Sequence, residues 1–437
     1  MEGKIDIPLS FRQGKIPMNE PLLFQILLGE FHEKLNHLKD LVSRDVQFPK
    51  ASNKIKVAIG MRRSGKTYFL YQQILKMLAD DISKSAILYI NFEDDRLFPL
   101  NEQKLAQLVD AFYAHHPENH DRKCYLFFDE IQNVENWPIV IRRLHDTKNA
   151  EIFLTGSSAK LLSKEIATSL RGRSLAVEIW PYSFSEFMRA KKVAIDRKLY
   201  GKKTQDKLKK LFHHYLSEGG FPEITAYDPD VRQKTLQEYL DVAIYRDIIE
   251  RHEIKNPSPI KYMILSMVHN VGRPFAINKF YNDLKSQGYQ IGKDILYEYA
   301  DHLEDAYLAF AIASYDKSPR KSQTKPKKLY AIDPGMVRAL TLDYEGDLGR
   351  LFENVVYLDL QRLGCKISYY TTAEGYEVDF LVQTRRGHKK LFQVAWDVQD
   401  AETLERETRA LKAGMKELKI DGELITLDSY LQKGIAI

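Results

Sequence analysis

The chain has 437 residues, 44% hydrophobic and 29% charged, with a formal net charge of +5 at pH 7, which is room for two to four domains of ordinary globular composition. No apolar run approaches the roughly 20 residues that span a bilayer, and the N-terminus lacks the apolar stretch of a secretory signal. Cys124 and Cys365 are the only cysteines and lie far apart in apolar runs, which excludes a disulfide framework or a zinc site and suits a cytoplasmic protein.

The first segment, residues 1–50, reads as helical between Pro21 and Val46, with Leu23, Ile26, Leu27, Phe31, Leu35 and Leu38 on one packing face. Lys56–Ile59 is a short apolar strand, and Tyr68–Leu78 a helix. Between them stands Gly60-Met-Arg62-Arg63-Ser64-Gly65-Lys66-Thr67, a G-x-x-x-x-G-K-T loop. Its glycines let backbone N–H groups wrap an anion, Lys66 can reach β/γ-phosphates, and Thr67 offers a hydroxyl to Mg²⁺. The helix that begins at Thr67 and Tyr68 adds its dipole. These residues predict an ATP site with Mg²⁺.

Strands and helices then alternate. Ser85–Phe92 is a strand, Asn101 caps a helix through Leu105, Leu108 and Phe112, and Cys124–Phe128 is a strand apolar on both faces. Trp137–Lys148 is a helix, Glu151–Thr155 a strand, Ala159–Leu170 a helix and Ser174–Trp180 a fifth strand. This is the pattern of a doubly wound parallel sheet, hence an α/β fold. Asp129 and Glu130 follow the third strand, where one acid can hold Mg²⁺ and the next can polarise the attacking water. Thr155 can orient that water, or belong with Ser157 and Ser158 to a helix cap.

Residues 183–255 read as all helix, residues 257–335 as three short helices with two strands, and residues from 345 onward as a helix followed by strands. Two segments are basic: 189–210 holds ten Lys/Arg against Asp196 and Asp206, and 316–328 holds six against Asp316. Either can meet phosphates, or be a solvated face. Residues 274–306 read as a helix-turn-helix, followed by a hairpin with a lysine-rich tip, the order of a winged helix. On that reading Lys293 and Tyr297, at the start of the second helix, and Arg320, Lys321, Lys325, Lys327 and Lys328, on the wing, contact DNA. Packing against the neighbouring domain is the alternative.

The loop, Asp129-Glu130, Thr155 and Arg171-Gly172-Arg173 resemble an AAA+ ATPase in that order. More narrowly, Asp129–Gln132 with Trp137, Leu170–Arg173 and Pro181–Phe187 are similar to a prokaryotic AAA+ subfamily with a C-terminal restriction-endonuclease-like domain. The resemblance implies an AAA+ core at 51–182, a helical lid at 183–255, a winged helix at 256–344 and a nuclease-like domain at 345–437. It also implies a homo-oligomer, a hexameric ring being one form, in which Arg171 or, preferably, Arg173 completes a neighbour's site. By the same resemblance Pro222, in Gly219-Gly-Phe-Pro222, packs against adenine, and Arg246 senses the γ-phosphate or forms a surface ion pair.

In the last domain Glu353 lies on a helix, Glu377 and Asp379 share one strand face, and Gln393, Ala395 and Asp397 share another. The nuclease fold would require Glu and Lys where Gln393 and Ala395 stand, so cleavage is disfavoured, although Glu353, Asp379 and Asp397 keep some capacity for a metal. The expected function is ATP hydrolysis by an oligomer acting on DNA. The alternatives are a nucleotide-gated switch binding proteins and an ATP-dependent nuclease.

Overall fold

The computed structural model describes residues 20–38, 40–156, 168–194, 201–341, 348–397, 401–435 and 437. The first unit comprises α1 (Glu20–His37), β1 (Ile55–Ile59), α2 (Lys66–Ala79), β2 (Ile87–Asn91), α3 (Glu102–His115), β3 (Cys124–Asp129), α4 (Trp137–Thr147), β4 (Ala150–Gly156) and β5 (Ser174–Glu178). Its five strands pair in parallel in the order β2-β3-β4-β1-β5. Side chains alternate between two cores, as strand geometry requires. Ile55, Val57 and Ile59 pack with Leu105, Phe112 and Ile141 on one face, while Ala58 meets Phe69, Phe127 and Phe153 on the other. Asn101 caps α3 as expected, its side chain accepting from Lys104 N at 2.9 Å. The expected helix 159–170 and Ser157, Ser158 and Asp196 fall wholly or largely outside the described residues.

The predicted N-terminal helix stops at His37 rather than Val46. The backbone donors that would continue it are engaged elsewhere: Arg44 N donates to Gln72 Oε1 at 2.9 Å, and Asp45 N to Glu186 Oε1 at 2.8 Å. The stripe does pack, with α1 lying on α3 and β2 through Leu23, Phe24, Phe31 and Leu35.

Helices α5 (Phe184–Ala190), α6 (Lys202–Glu218) and α7 (Pro229–Val242), with a π-helical stretch Ala243–Glu250, form the next part. Then come α8 (Ser258–His269), β6 (Pro274–Phe275), α9 (Ile277–Ser286), α10 (Lys293–Asp305), β7 (Ala309–Ile312), α11 (Pro319–Thr324), β8 (Lys327–Ala331) and α12 (Pro334–Leu340). The three strands form an antiparallel sheet, β6-β8-β7, so the expected hairpin is present, with the helical turn α11 at its tip.

The last part is α13 (Leu348–Arg362), β9 (Lys366–Thr371), β10 (Glu377–Gln383), β11 (Lys389–Ala395), α14 (Ala401–Leu418), β12 (Gly422–Thr426) and α15 (Leu427–Lys433). Its sheet runs β12-β11-β10-β9, with only β11 and β12 parallel. Buried side chains from Trp180 to Leu431 form one continuous cluster that also takes in Met61 of the loop after β1. That loop therefore sits where the core of the first unit meets the core shared by all that follows.

Candidate functional site

The loop after β1 is held open by backbone that favours glycine, with φ of 148° at Gly60 and 95° at Gly65. A Cβ on Gly60 would overlap the Ile179 carbonyl, and one on Gly65 would meet Arg44 Nη1 at 3.2 Å and Pro222 Cγ at 3.4 Å. Lys66 is buried, its ammonium donating to the carbonyls of Gly60 at 3.3 Å and Met61 at 3.2 Å and lying 3.8 Å from Glu130. The buried Ser64 hydroxyl has no hydrogen-bond partner. An orphaned hydroxyl, a buried ammonium and the N-terminus of α2 converge on the loop, and this donor set fits a phosphate chain. Tyr68 is exposed at the rim.

Asp129 and Glu130 end β3 beside the loop. Asp129 is fully buried and accepts from Tyr89 Oη at 2.8 Å and from the Thr155 hydroxyl. Burial raises its pKa, opposed by hydrogen bonds from Thr155 and Thr67. Thr67 and Asp129, the pair expected to hold a metal, are thus brought together. Glu130 has φ of 54°, a conformation costly for a side chain with a Cβ, and its N–H is anchored to Thr155 Oγ1 at 2.8 Å. Gln132 Nε2 donates to Glu130 Oε2 at 2.6 Å. Because the single Thr155 hydroxyl proton goes to Asp129 while its oxygen serves Glu130 N, Thr155 is a buried brace under both acids, not a free donor facing water. Glu93 stands nearby, its pKa raised by burial and by the charge of Glu130.

Helical residues of 183–255 reach the loop through ion pairs. Arg62 Nε donates to both oxygens of Asp247, at 3.0 and 3.2 Å, with its Nη1 at 4.0 Å from Glu93. Arg63 pairs with Glu223 at 3.1 Å, and Glu223 also accepts from Tyr239 Oη at 2.6 Å. Pro222 lies against Gly65, so it meets the loop itself. Arg246 makes an exposed pair with Glu250 at 3.1 Å, the surface alternative. Arg44 was not legible in the sequence: it is 7% exposed, donating to the Ser64 carbonyl at 2.9 Å, to Glu186 at 3.1 Å and to the Trp180 carbonyl. Nothing in the local pattern around Arg44 marks it.

Arg173 lies at the amino ends of β1 and β5, the opposite end of the sheet from the loop. Its carbonyl accepts from Ile55 N at 2.8 Å, at the start of β1, whereas the loop follows the end of that strand, about 16 Å away. Arg173 is held by Asp146 through two contacts of 3.1 Å. It cannot reach the loop of its own chain.

The basic segments are less free than their composition suggests. Arg189 pairs with Asp45 at 2.6 Å, Lys191 with Glu218 at 2.7 Å and Lys209 with Asp428 at 2.8 Å. Lys293 is exposed on α10, 6.0 Å from the Tyr297 ring, and Arg320 and Lys321 are exposed on α11. Lys325 pairs with Asp316 at 3.5 Å. Tyr297, Lys325 and Lys327 line one groove between α10 and the hairpin, along with Asp301 and Glu304.

Lys328 is not a wing contact, which corrects its expected place on a DNA surface. It is 1% exposed, its ammonium 2.8 Å from Glu353, 2.9 Å from Glu377 and 2.8 Å from Asp379. Burial opposes its charge, but Asp379, Glu353 and Glu377 outweigh burial and hold its pKa well above the ordinary lysine value. The reason is strand period: β8 turns Lys327 outward and Lys328 inward onto α13 and β10. Tyr330 Oη donates to Glu353 at 2.6 Å, and Gln393 accepts from Asp379 N at 3.2 Å and donates to Glu407 at 2.6 Å. Asp397 is exposed past the end of β11. Among the described residues no group of three or more His, Cys, Asp and Glu is arranged to hold a metal ion.

The sheet and loop define the class: residues 52–188 match the family model described as "AAA domain", and residues 209–346 match "Domain of unknown function (DUF8612)". The chain belongs to the family of uncharacterized protein MJ1544 of Methanocaldococcus jannaschii, to which it is 39% identical over 422 residues, 95% of this chain and 91% of that protein. It is 30% identical over 390 residues to an uncharacterized protein of Haemophilus influenzae, covering 89% of this chain and 92% of that one. The solved structure of the Aeropyrum pernix Orc1 protein in complex with DNA aligns at TM-score 0.29 and 12% identity, over 71% of this chain and 92% of that one, too distant to bear on function. Among the described residues no helix is long and apolar enough to cross a membrane.

Proposed function

We propose that this protein is an AAA+ ATPase that hydrolyses ATP with Mg²⁺ as a homo-oligomer acting on DNA. The observation that carries the reading is the convergence of buried Lys66, Asp129 and Glu130 at the carboxyl ends of β1 and β3. Lys66 and the loop N–H groups bind phosphate oxygens. Thr67 and Asp129 are the residues that would hold Mg²⁺, which supplies neutralisation of phosphate charge when bound. Glu130 accepts the proton of the attacking water, and Thr155 keeps both acids in place. Since Arg173 is remote from its own loop, it serves a neighbouring subunit.

The order α8, β6, α9, α10, β7, β8 supports a winged helix over 256–344, with Lys293, Tyr297, Arg320, Lys321, Lys325 and Lys327 as its candidate DNA contacts. The four-stranded sheet with α13 and α14 supports a restriction-endonuclease-like fold for 345–437. A lysine already fills its carboxylate cluster, so a structural module is favoured over a nuclease. The pairing of Arg189, Lys191 and Lys209 within the chain favours a second reading, a nucleotide-gated switch whose accessory domains bind proteins.

The test is steady-state ATP turnover of wild type, Lys66→Ala and Glu130→Gln, with and without linear, single-stranded and branched DNA. Turnover that is lost in both variants and raised by DNA is expected. Turnover unchanged in Glu130→Gln rejects the site, and turnover indifferent to every DNA selects the switch.

A further inference from the structure

The lid carries a buried acid where the sequence suggested a basic sensor. Asp247 lies in the π-helical stretch Ala243–Glu250, a widened helix of the kind that recurs at functional sites. Its neighbours Tyr245 and Arg246 are exposed, yet the Asp247 side chain is only 7% exposed and turns both oxygens to Arg62 Nε. Arg62 is one of the four residues between the two glycines of the loop, so a phosphate-binding element is tied directly to the lid. The charges of Lys66 and Glu130 both act on Asp247, and the charge of Glu130 acts on Glu93, the other acid facing Arg62. Arg62, Asp247, Glu93 and Glu130 therefore share one end of the site, the end where the water-polarising acid stands. On the proposed ATPase reading that is the terminal-phosphate end.

Until Mg²⁺ is bound beside Asp129, the charge balance there is unfavourable to more anions. Arg62 and Lys66 face Glu93, Asp129, Glu130 and Asp247, two cations against four carboxylates, and Arg62 is the cation in direct contact with Asp247. The Arg62 guanidinium has one edge committed to Asp247 through Nε and another only 4.0 Å from Glu93, too long for a hydrogen bond. Phosphate oxygens are strong acceptors for such a fork. A terminal phosphate would compete with Asp247 for Arg62 and would bring like charge against the carboxylate. A diphosphate lacks that group and leaves the pair in place.

We propose that the Arg62–Asp247 ion pair is a latch between phosphate loop and lid that a terminal phosphate opens, making Asp247 the residue that sets discrimination between tri- and diphosphate. The neighbouring Arg63–Glu223 pair holds the turn bearing Pro222 and acts as the fixed side of the same junction. The inference rests on the proposed nucleotide site.

The experiment uses the full chain carrying Glu130→Gln, so that nucleotide is not consumed, and titrates fluorescent ATP and ADP with Mg²⁺ into it and into versions with Asp247→Asn or Arg62→Ala added. Asp247→Asn should tighten the triphosphate at least fivefold and leave the diphosphate within twofold, because Arg62 is released to the phosphate. Arg62→Ala should weaken the triphosphate more than the diphosphate. Amide exchange over 243–250 should be faster with ATP than with ADP in the parent, and indifferent to nucleotide in both variants. Equal factors for both nucleotides in Asp247→Asn, or a loss of triphosphate affinity there, overturn the latch, since a merely structural role weakens both. If the parent binds no better than the same protein with Lys66→Ala, the nucleotide reading itself falls, and the latch with it.

Discussion

Replacing Lys328 by methionine, close in length and without charge, tests whether this lysine is a clamp between β8 and the last domain. Its side chain is 2% exposed and its ammonium contacts three carboxylates at 2.8–2.9 Å. Removing one partner of a buried ion pair typically costs about 3–5 kcal/mol, because charges are left without compensation. Glu377 is 37% exposed at its side chain, so water screens its share, and the loss falls mainly on Glu353 and Asp379. The cost should depend on pH. Burial already raises the Glu353 pKa against the pull of Lys328, and removing the lysine raises it further. A carboxyl with a raised folded-state pKa contributes stability that is present below its unfolded value, about 4.3, and lost as pH rises through the folded value. Since burial already holds Glu353 at about 7 in the wild type, Lys328→Met should be closest to wild type below about pH 7 and lose about 1.4 kcal/mol more per pH unit per proton above that. Urea denaturation at several pH values, with amide exchange over 327–331 and 377–383 as the local probe, measures this. Adding Glu353→Gln and Asp379→Asn should restore most of the loss, since a neutral cluster has no charge to compensate. A Lys328→Met protein with a loss below about 1 kcal/mol that is flat with pH refutes the clamp.

Asp333 links the turn bearing Pro222 to α12, accepting from Gly220 N at 2.6 Å and Met336 N at 3.0 Å, and burial pushes its pKa up to about 6 against those bonds. The protonated form is the more stable one, so relative to Asp333→Asn the wild type should lose up to about 3 kcal/mol as pH rises from about 4 to 6, read as the difference between two urea-midpoint profiles; parallel profiles reject the assignment. For Arg173, mixing Arg173→Ala with Lys66→Ala protein should restore turnover at shared interfaces, and no recovery at any ratio with assembly intact removes the trans role.

The candidate nucleotide site was legible because its parts are short-range. Gly60, Gly65, Lys66 and Thr67 lie within one turn of chain, and Asp129 and Glu130 are marked by the apolar strand they end. Alternation of apolar strands and amphipathic helices likewise carries the parallel sheet, since the periods of 2 and 3.6 are local properties. The relations between units were not legible, because they depend on pairs far apart in the chain. Arg44 finds Ser64 and Glu186, Arg62 finds Asp247, and Lys328 finds Glu353 and Asp379 only once the core from Trp180 to Leu431 has closed. Composition marked residues 316–328 as a basic tip, but the pleat of β8 puts adjacent lysines on opposite faces, one toward a groove and the other into a carboxylate cluster. Local sequence states which charges are present; burial and partner geometry, decided only by the tertiary structure, determine which of them meet solvent or a ligand and which hold the protein together.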